Sequence, residues 1–144
     1  MDRLYLIAEA GGEHFAIPAE AVESVVTASD VVPVPLADPM VAGVSALRSK
    51  VITVIDTVAA IEGGAAAVAV GCSLVVVKID DFLYGLAVED VHDVVDYADD
   101  PERLGASFAP GWQRVSTGVI EIDGRTIVVV DPAALLATPD AAVA

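Results

Sequence analysis

The sequence predicts a mainly β protein: two pseudo-symmetric, five-stranded β-barrel subdomains carrying short helices. Three observations lead there. The chain is 56% hydrophobic but only 5% aromatic, so Val, Ala, Ile and Leu must build the interior, and a β-branched interior favours strands. The apolar residues come in short runs separated by Gly, Pro and polar pairs, the punctuation of strands and turns. The longest such pattern also occurs twice. VAGVSALRSKVITVIDTVAAI at 41–61 returns as STGVIEIDGRTIVVVDPAALL at 116–136.

Taken in order, residues 4–8 and 14–17 form two strands joined across Gly11-Gly12, where positive φ is cheap. Residues 19–26 are expected to be a helix. Val22, Val25 and Val26 stand at i, i+3 and i+4, with Glu20 and Glu23 on the wet side. Pro33 and Pro35 alternate with Val in the next segment, which suits an edge strand and excludes a central one. A hairpin follows, with arms at 44–47 and 51–55 and its tip at Arg48-Ser49-Lys50. Asp56 then caps a short apolar helix at 57–61, and residues 62–71 are a small-residue connector.

The second copy repeats this order. Phe15-Ala16-Ile17 returns as Tyr84-Gly85-Leu86, Glu20 as Glu89, and Val22, Val25 and Val26 as Val91, Val94 and Val95, all 69 residues on. The hairpin returns 75 residues on, so about six residues are added between them. Those lie in DYADDPERLGASFAPGW, expected to be an acidic, irregular surface loop. Asp131 caps a last helix that starts at Pro132, a favoured first helical residue. Residues 138–144 are expected to be a flexible tail. Small sheets of this kind avoid exposed edges by curling into barrels. The chain therefore reads as one domain, 1–144, in approximate halves 4–62 and 73–136, with exchange of strands between the barrels left open.

Composition excludes several function classes. A formal charge of −15 and a pI near 4.1 disfavour nucleic acid, whose phosphates need Lys and Arg, and an anionic membrane surface. The longest uncharged run, between Glu62 and Lys78, is broken by glycines and is too short for a spanning helix. The apolar run at 4–8 stops at Glu9, unlike a signal peptide. Cys72 is the single cysteine and suits a reducing cytoplasm. His14 and His92 have no His or Cys neighbour at ligand spacing, which points away from zinc and leaves no metal or cofactor expected. Glycines lack the lysine of a phosphate loop, Ser45 lacks the second glycine of a nucleophile elbow, and the acidic run at 96–102 does not follow a calcium-loop pattern.

In order and spacing the chain resembles the CheW family, the coupling proteins of bacterial chemosensory arrays. The resemblance is carried by Phe15-Ala16-Ile17-Pro18 through Ala21-Val22-Glu23-Ser24-Val25, then Val32-Pro33-Val34-Pro35, Val41-Ala42-Gly43-Val44, Leu47-Arg48 and Val51 to Asp56. The second half adds Tyr84-Gly85-Leu86-Ala87-Val88 and Gly118-Val119. It implies two five-stranded barrels with a groove between them and a non-catalytic adaptor. Its implied partners are the regulatory domain of a CheA-type histidine kinase and the cytoplasmic tip of chemoreceptors. The protein would then be cytoplasmic and recruited to membrane-associated receptor arrays. Two departures fall in the region the resemblance makes receptor-facing. Ala46-Leu47-Arg48-Ser49 stands where the family usually has Asn-Leu-Arg-Gly, and Ser24 stands where an acidic residue is common. A module that binds the kinase but not the usual receptors is therefore the first alternative.

The candidate binding residues are Arg48, Ser49, Gly43, Val22, Ser24 and Trp112. Arg48-Ser49 occupies the slot that the second copy fills with Asp123-Gly124, the pair a type I′ turn prefers. A local rule broken in one copy and kept in the other points to function, here a guanidinium offered to a partner's carboxylate. Gly43 and Gly118 match, which implies a backbone requirement. Val22 suits core packing and Ser24 a solvated face. Phe108 and Trp112 would either anchor a partner or cover a barrel end. Asp56 and Asp131 close equivalent strands, as the two halves of an aspartic protease dyad do, but both lack the glycine that such a dyad needs two residues on. Helix capping accounts for both, and a small aspartic-type hydrolase is the alternative from another class.

Overall fold

Strands without polar alternation need burial on both faces, and the topology supplies it. In the computed structural model, which describes residues 3–28, 30–68, 71–98, 101–103 and 110–136, the first repeat contains β1 (Arg3–Ala10), β2 (Glu13–Pro18), β3 (Val22–Thr27), β4 (Val41–Leu47), β5 (Lys50–Asp56) and α1 (Thr57–Glu62). The second contains β6 (Ser73–Ile79), β7 (Phe82–Val88), β8 (Asp90–Tyr97), α2 (Pro110–Val115), β9 (Ser116–Ile122), β10 (Arg125–Val130) and α3 (Pro132–Leu136).

The strands form two five-stranded sheets, ordered β8-β1-β2-β10-β9 and β3-β6-β7-β5-β4. Each sheet therefore takes the opening hairpin of one repeat and three strands of the other. The exchange left open by the sequence is complete. Among the named strands, those of one repeat pair only as hairpins; β3 pairs with β6, β8 with β1, and the short parallel pairs β2–β10 and β5–β7 join the repeats inside each sheet.

The sheets are not closed barrels. Their free edges are β8 and β9 in the first and β3 and β4 in the second. Among the described residues one bridge spans each gap: Val32 exchanges backbone hydrogen bonds of 2.8 and 2.9 Å with Val44, and Glu102 exchanges bonds of 2.8 and 2.7 Å with Val119. The edge strand expected around Pro33 and Pro35 is thus reduced to Val32 alone. Neither proline has an N–H to extend the ladder.

Residues 19–26 are not a helix. A single 3₁₀ turn at Ala19–Ala21 leads directly into β3, and the equivalent valines of the second repeat lie in β8. The i, i+3, i+4 spacing arises instead from a bulge. Register shifts between Val22 and Ser24, and between Leu6 and Ala8 opposite β8, and a bulge adds a residue that resets the alternation. Val22 and Val91 consequently pack against the central core, while Val26 and Val95 face the interiors of their own sheets. Val25 and Val94 are left 44% and 54% exposed, against the expectation that Val25 is core. β-branched residues at an unpaired edge prefer the strand once a partner is available.

Three clusters make the interior. Tyr5, Ile7, Ala16, Ile120, Ile127 and Val129 fill the first sheet. Ala28, Ile52, Val54, Leu74, Val76 and Ala87 fill the second. The alternate residues of the same strands, Leu6, Phe15, Ile17, Ile55, Val75, Val77, Leu86, Val128 and Val130 among them, meet between the sheets in the largest cluster. Runs such as Leu74-Val75-Val76-Val77 are buried throughout because each side chain belongs to one core or the other.

The helices cover the central core. The segment expected to be an irregular loop contributes α2, whose Trp112 and Val115 are buried. Equivalent contacts tie both copies: Asp56 N–H donates to the Met40 carbonyl at 2.9 Å and Asp131 N–H to the Val115 carbonyl at 2.8 Å. Arg114 on α2 then donates to the Ala60 carbonyl of α1 at 2.5 Å and the Ala134 carbonyl of α3 at 3.2 Å. One guanidinium thereby satisfies carbonyls left without partners at two helix C-termini. Phe108 and the tail at 138–144 lie outside the described residues. Among the described residues no helix is long and apolar enough to cross a membrane.

Candidate functional site

Most of the candidate residues gather on the second sheet. Arg48 and Ser49 make the two-residue tip of the β4–β5 hairpin, between the paired Leu47 and Lys50. Arg48 takes φ +58°, a left-handed conformation costing about 1–2 kcal/mol for a non-glycine residue. The corresponding turn of the second copy has Asp123 at +51° and Gly124 at +76°. The same end of the sheet carries the β6–β7 turn, with Asp80 at +52° and Asp81 at +68°, and the start of β3 at Val22, which pairs with Val77.

An apolar strip runs from the central core to this end. Thr53 pairs with Tyr84 and Ile55 with Leu86 across the parallel β5–β7 junction. Ile55 and Leu86 are fully buried, whereas Val51 and Phe82, four residues earlier on each strand, are 67% and 66% exposed. Side chains an even number of residues apart on a strand share a face, so the face that builds the core continues outward as an exposed surface. Val25 adds exposed apolar surface at the β3 edge. Arg48 and Lys50, both exposed, bring positive charge to its rim in a chain of net charge −15.

Gly43 and Gly118 serve the seam. Their φ values are +153° and +150°. A Cβ on Gly43 would overlap the Val32 carbonyl oxygen, and one on Gly118 would stand 2.5 Å from that of Glu102. Each glycine admits the single bridge that draws its sheet together. Ser24, expected on a solvated face, is half-buried opposite Val76, on the side of β3 that Val26 shares. Trp112 is 8% exposed and its ring lies 6.2 Å from that of Phe15. It is a core residue of α2 rather than an exposed anchor, because it joins the central cluster that the three helices cover.

The aspartates act as caps. Asp56 accepts the Ala59 N–H at 3.2 Å on one oxygen and the Ala67 N–H at 2.8 Å on the other. Asp131 accepts the Ala133 N–H at 3.1 Å. They begin α1 and α3 at the ends of strands in different sheets, whereas a protease dyad needs its carboxylates to share a proton. Burial pushes the Cys72 thiol above its ordinary value, and the Asp56 charge adds to the rise. A thiol so placed is a poor nucleophile at neutral pH.

The family model for the CheW-like domain matches residues 4–140. The chain belongs to the CheW-like domain family. Among solved structures, it is similar to the scaffolding protein TtCheW from Thermoanaerobacter tengcongensis, with a TM-score of 0.82 and 19% identity over 96% of this chain and 90% of that one. A search of curated proteins found no match. The likeness extends over both sheets, and the duplicated glycines of this CheW-like chain fall at the bridges described above.

Sequence reasoning missed two arrangements. Arg114 gave no signal, since its carbonyl partners lie on helices distant in the chain. His14 and His92 have no His or Cys neighbour at metal-binding spacing in sequence, yet the fold brings them together. Their rings stack with centroids 5.0 Å apart beside Glu9. Only the exchange of β8 into the sheet of β1 and β2 creates that neighbourhood.

Proposed function

We propose that this CheW-like protein is a non-catalytic chemotaxis adaptor that couples chemoreceptors to a CheA-type histidine kinase. Family membership over residues 4–140 is the observation that carries the reading. The surface supports it. An exposed apolar strip ending at Val51 and Phe82 suits the apolar face of a partner helix, and the Arg48 tip beside it offers a guanidinium to a carboxylate. Retaining a left-handed, non-glycine residue at that tip costs stability, as residues kept for contact often do. The protein would act in the cytoplasm, recruited to receptor arrays by these contacts.

The test is reconstitution of kinase autophosphorylation with receptor-containing membranes and the intact chain. Receptor-dependent control of the kinase is expected only when the chain is present, and Arg48→Glu should weaken receptor co-sedimentation by more than about tenfold, reversing a charge-assisted contact of roughly 1.5–3 kcal/mol. Unchanged co-sedimentation removes Arg48 from the contact. A second reading, an adaptor for the kinase alone, is favoured by Ser24 and Ser49, where the family's usual acidic residue and glycine are replaced. Recovery of the kinase without receptors in a pull-down selects it.

A further inference from the structure

Four neighbouring strands of the first sheet, β8, β1, β2 and β10, present a row of side chains: His92, Glu9, His14 and Arg125. The two histidines are the only ones in the chain. Glu9 and His14 are register partners, and Glu9 and Asp90 pair beside His92. The Nε2 atoms of His92 and His14 lie 3.3 and 3.6 Å from the same oxygen, Oε1 of Glu9. One ligand-type atom from each of the three residues lies within 4.8 Å of the others.

These separations are also those of ligand atoms around a shared ion. Tetrahedral zinc holds imidazole nitrogen and carboxylate oxygen at about 2.0–2.2 Å, which sets its ligand atoms roughly 3.3–3.6 Å apart. Both nitrogen–oxygen separations already fall there, and a small rotation of half-exposed side chains closes the remaining nitrogen–nitrogen pair. We propose that Glu9, His14 and His92 form a binding site for a borderline divalent transition cation, with a fourth position open to water. Two imidazoles with one carboxylate select zinc, copper or nickel over calcium and magnesium, which prefer all-oxygen sites. The chain's net charge of −15 draws cations toward it. Arg125 opposes binding: its Nη1 lies 3.1 Å from both ring nitrogens of His14 and must swing into solvent when the ion enters. Neither the site nor its ligand is part of the adaptor surface, which lies on the other sheet.

The experiment is titration of the intact, chelator-stripped chain with Zn²⁺, followed by calorimetry and by NMR of the imidazole signals. One equivalent should bind with both imidazole signals shifting together, undisturbed by excess Ca²⁺. His14→Ala and His92→Ala should each weaken binding by more than about tenfold, as loss of a group held at a metal does. Glu9→Gln should weaken it less, and Arg125→Ala should tighten it severalfold. No binding, imidazole signals unmoved at saturation, or undiminished binding in the double histidine variant would each overturn the site. The NMR readout on the unaltered chain holds even if a variant misfolds.

Discussion

Gly43 shows how much one residue carries. It lies on an edge strand at φ +153°, and the Val32 carbonyl occupies the space where a side chain would begin. Gly43→Ala combines backbone strain of about 1–2 kcal/mol with overpacking of about 1–3 kcal/mol. A loss of roughly 2–5 kcal/mol, the sum of those two costs, is expected by chemical denaturation. Gly124 separates the two causes. It sits at φ +76° in the second hairpin turn with nothing within 4 Å of its missing Cβ, so Gly124→Ala should cost only the strain, about 1–2 kcal/mol. Equal losses at the two sites would mean that the close approach to Val32 contributes nothing. The pairing of Gly43 with Gly118 was legible as a backbone requirement because both copies keep it. What the backbone approaches was not, since Val32 and Glu102 lie outside the hairpins.

At the scale of elements, the strongest dependence is the helical cover. α1, α2 and α3 have six, six and five residues, too short to persist without tertiary partners. Arg114 joins them through the Ala60 and Ala134 carbonyls. Charge-assisted hydrogen bonds of this kind contribute about 1.5–3 kcal/mol each. Arg114→Met keeps most of the stem and removes the bonds. A loss of roughly 3–6 kcal/mol, the sum of the two bonds, is expected, with the amides of α1 and α3 exchanging faster than those of the sheets. Hydrogen exchange that is unchanged in α1 and α3 would show the clamp to be idle. The caps at Asp56 and Asp131 could be read from sequence because an Ncap and its helix are neighbours in the chain. Residues 19–26 could not: Val22, Val25 and Val26 fit a helix stripe and a bulged strand equally well, and pairing with β6 decides between them.

For the whole molecule, the exchange of strands makes each repeat incomplete. β1 and β2 gain their neighbours β8 and β10 from the second repeat, and β6 and β7 gain β3 and β5 from the first. Residues 1–68 and 69–144 expressed separately should therefore remain unfolded, giving collapsed amide spectra, and should regain dispersion on mixing. A dispersed spectrum from either half alone would contradict the interlocked topology. The same exchange places the inner face of one sheet against that of the other, so the central core and the exposed strip are continuous.

By itself, the sequence determined the duplication, the hairpins with their turns, the capped helices and the family, because each depends on residues close together or on a pattern that recurs at fixed spacing. Only the tertiary structure decided which repeat completes which sheet, that Trp112 faces inward, that Arg114 serves two helices, and that His14 meets His92 beside Glu9. Those outcomes depend on pairing between strands far apart in the chain. Hydrophobic burial rewards any partner that covers an apolar face, and local sequence does not name which one.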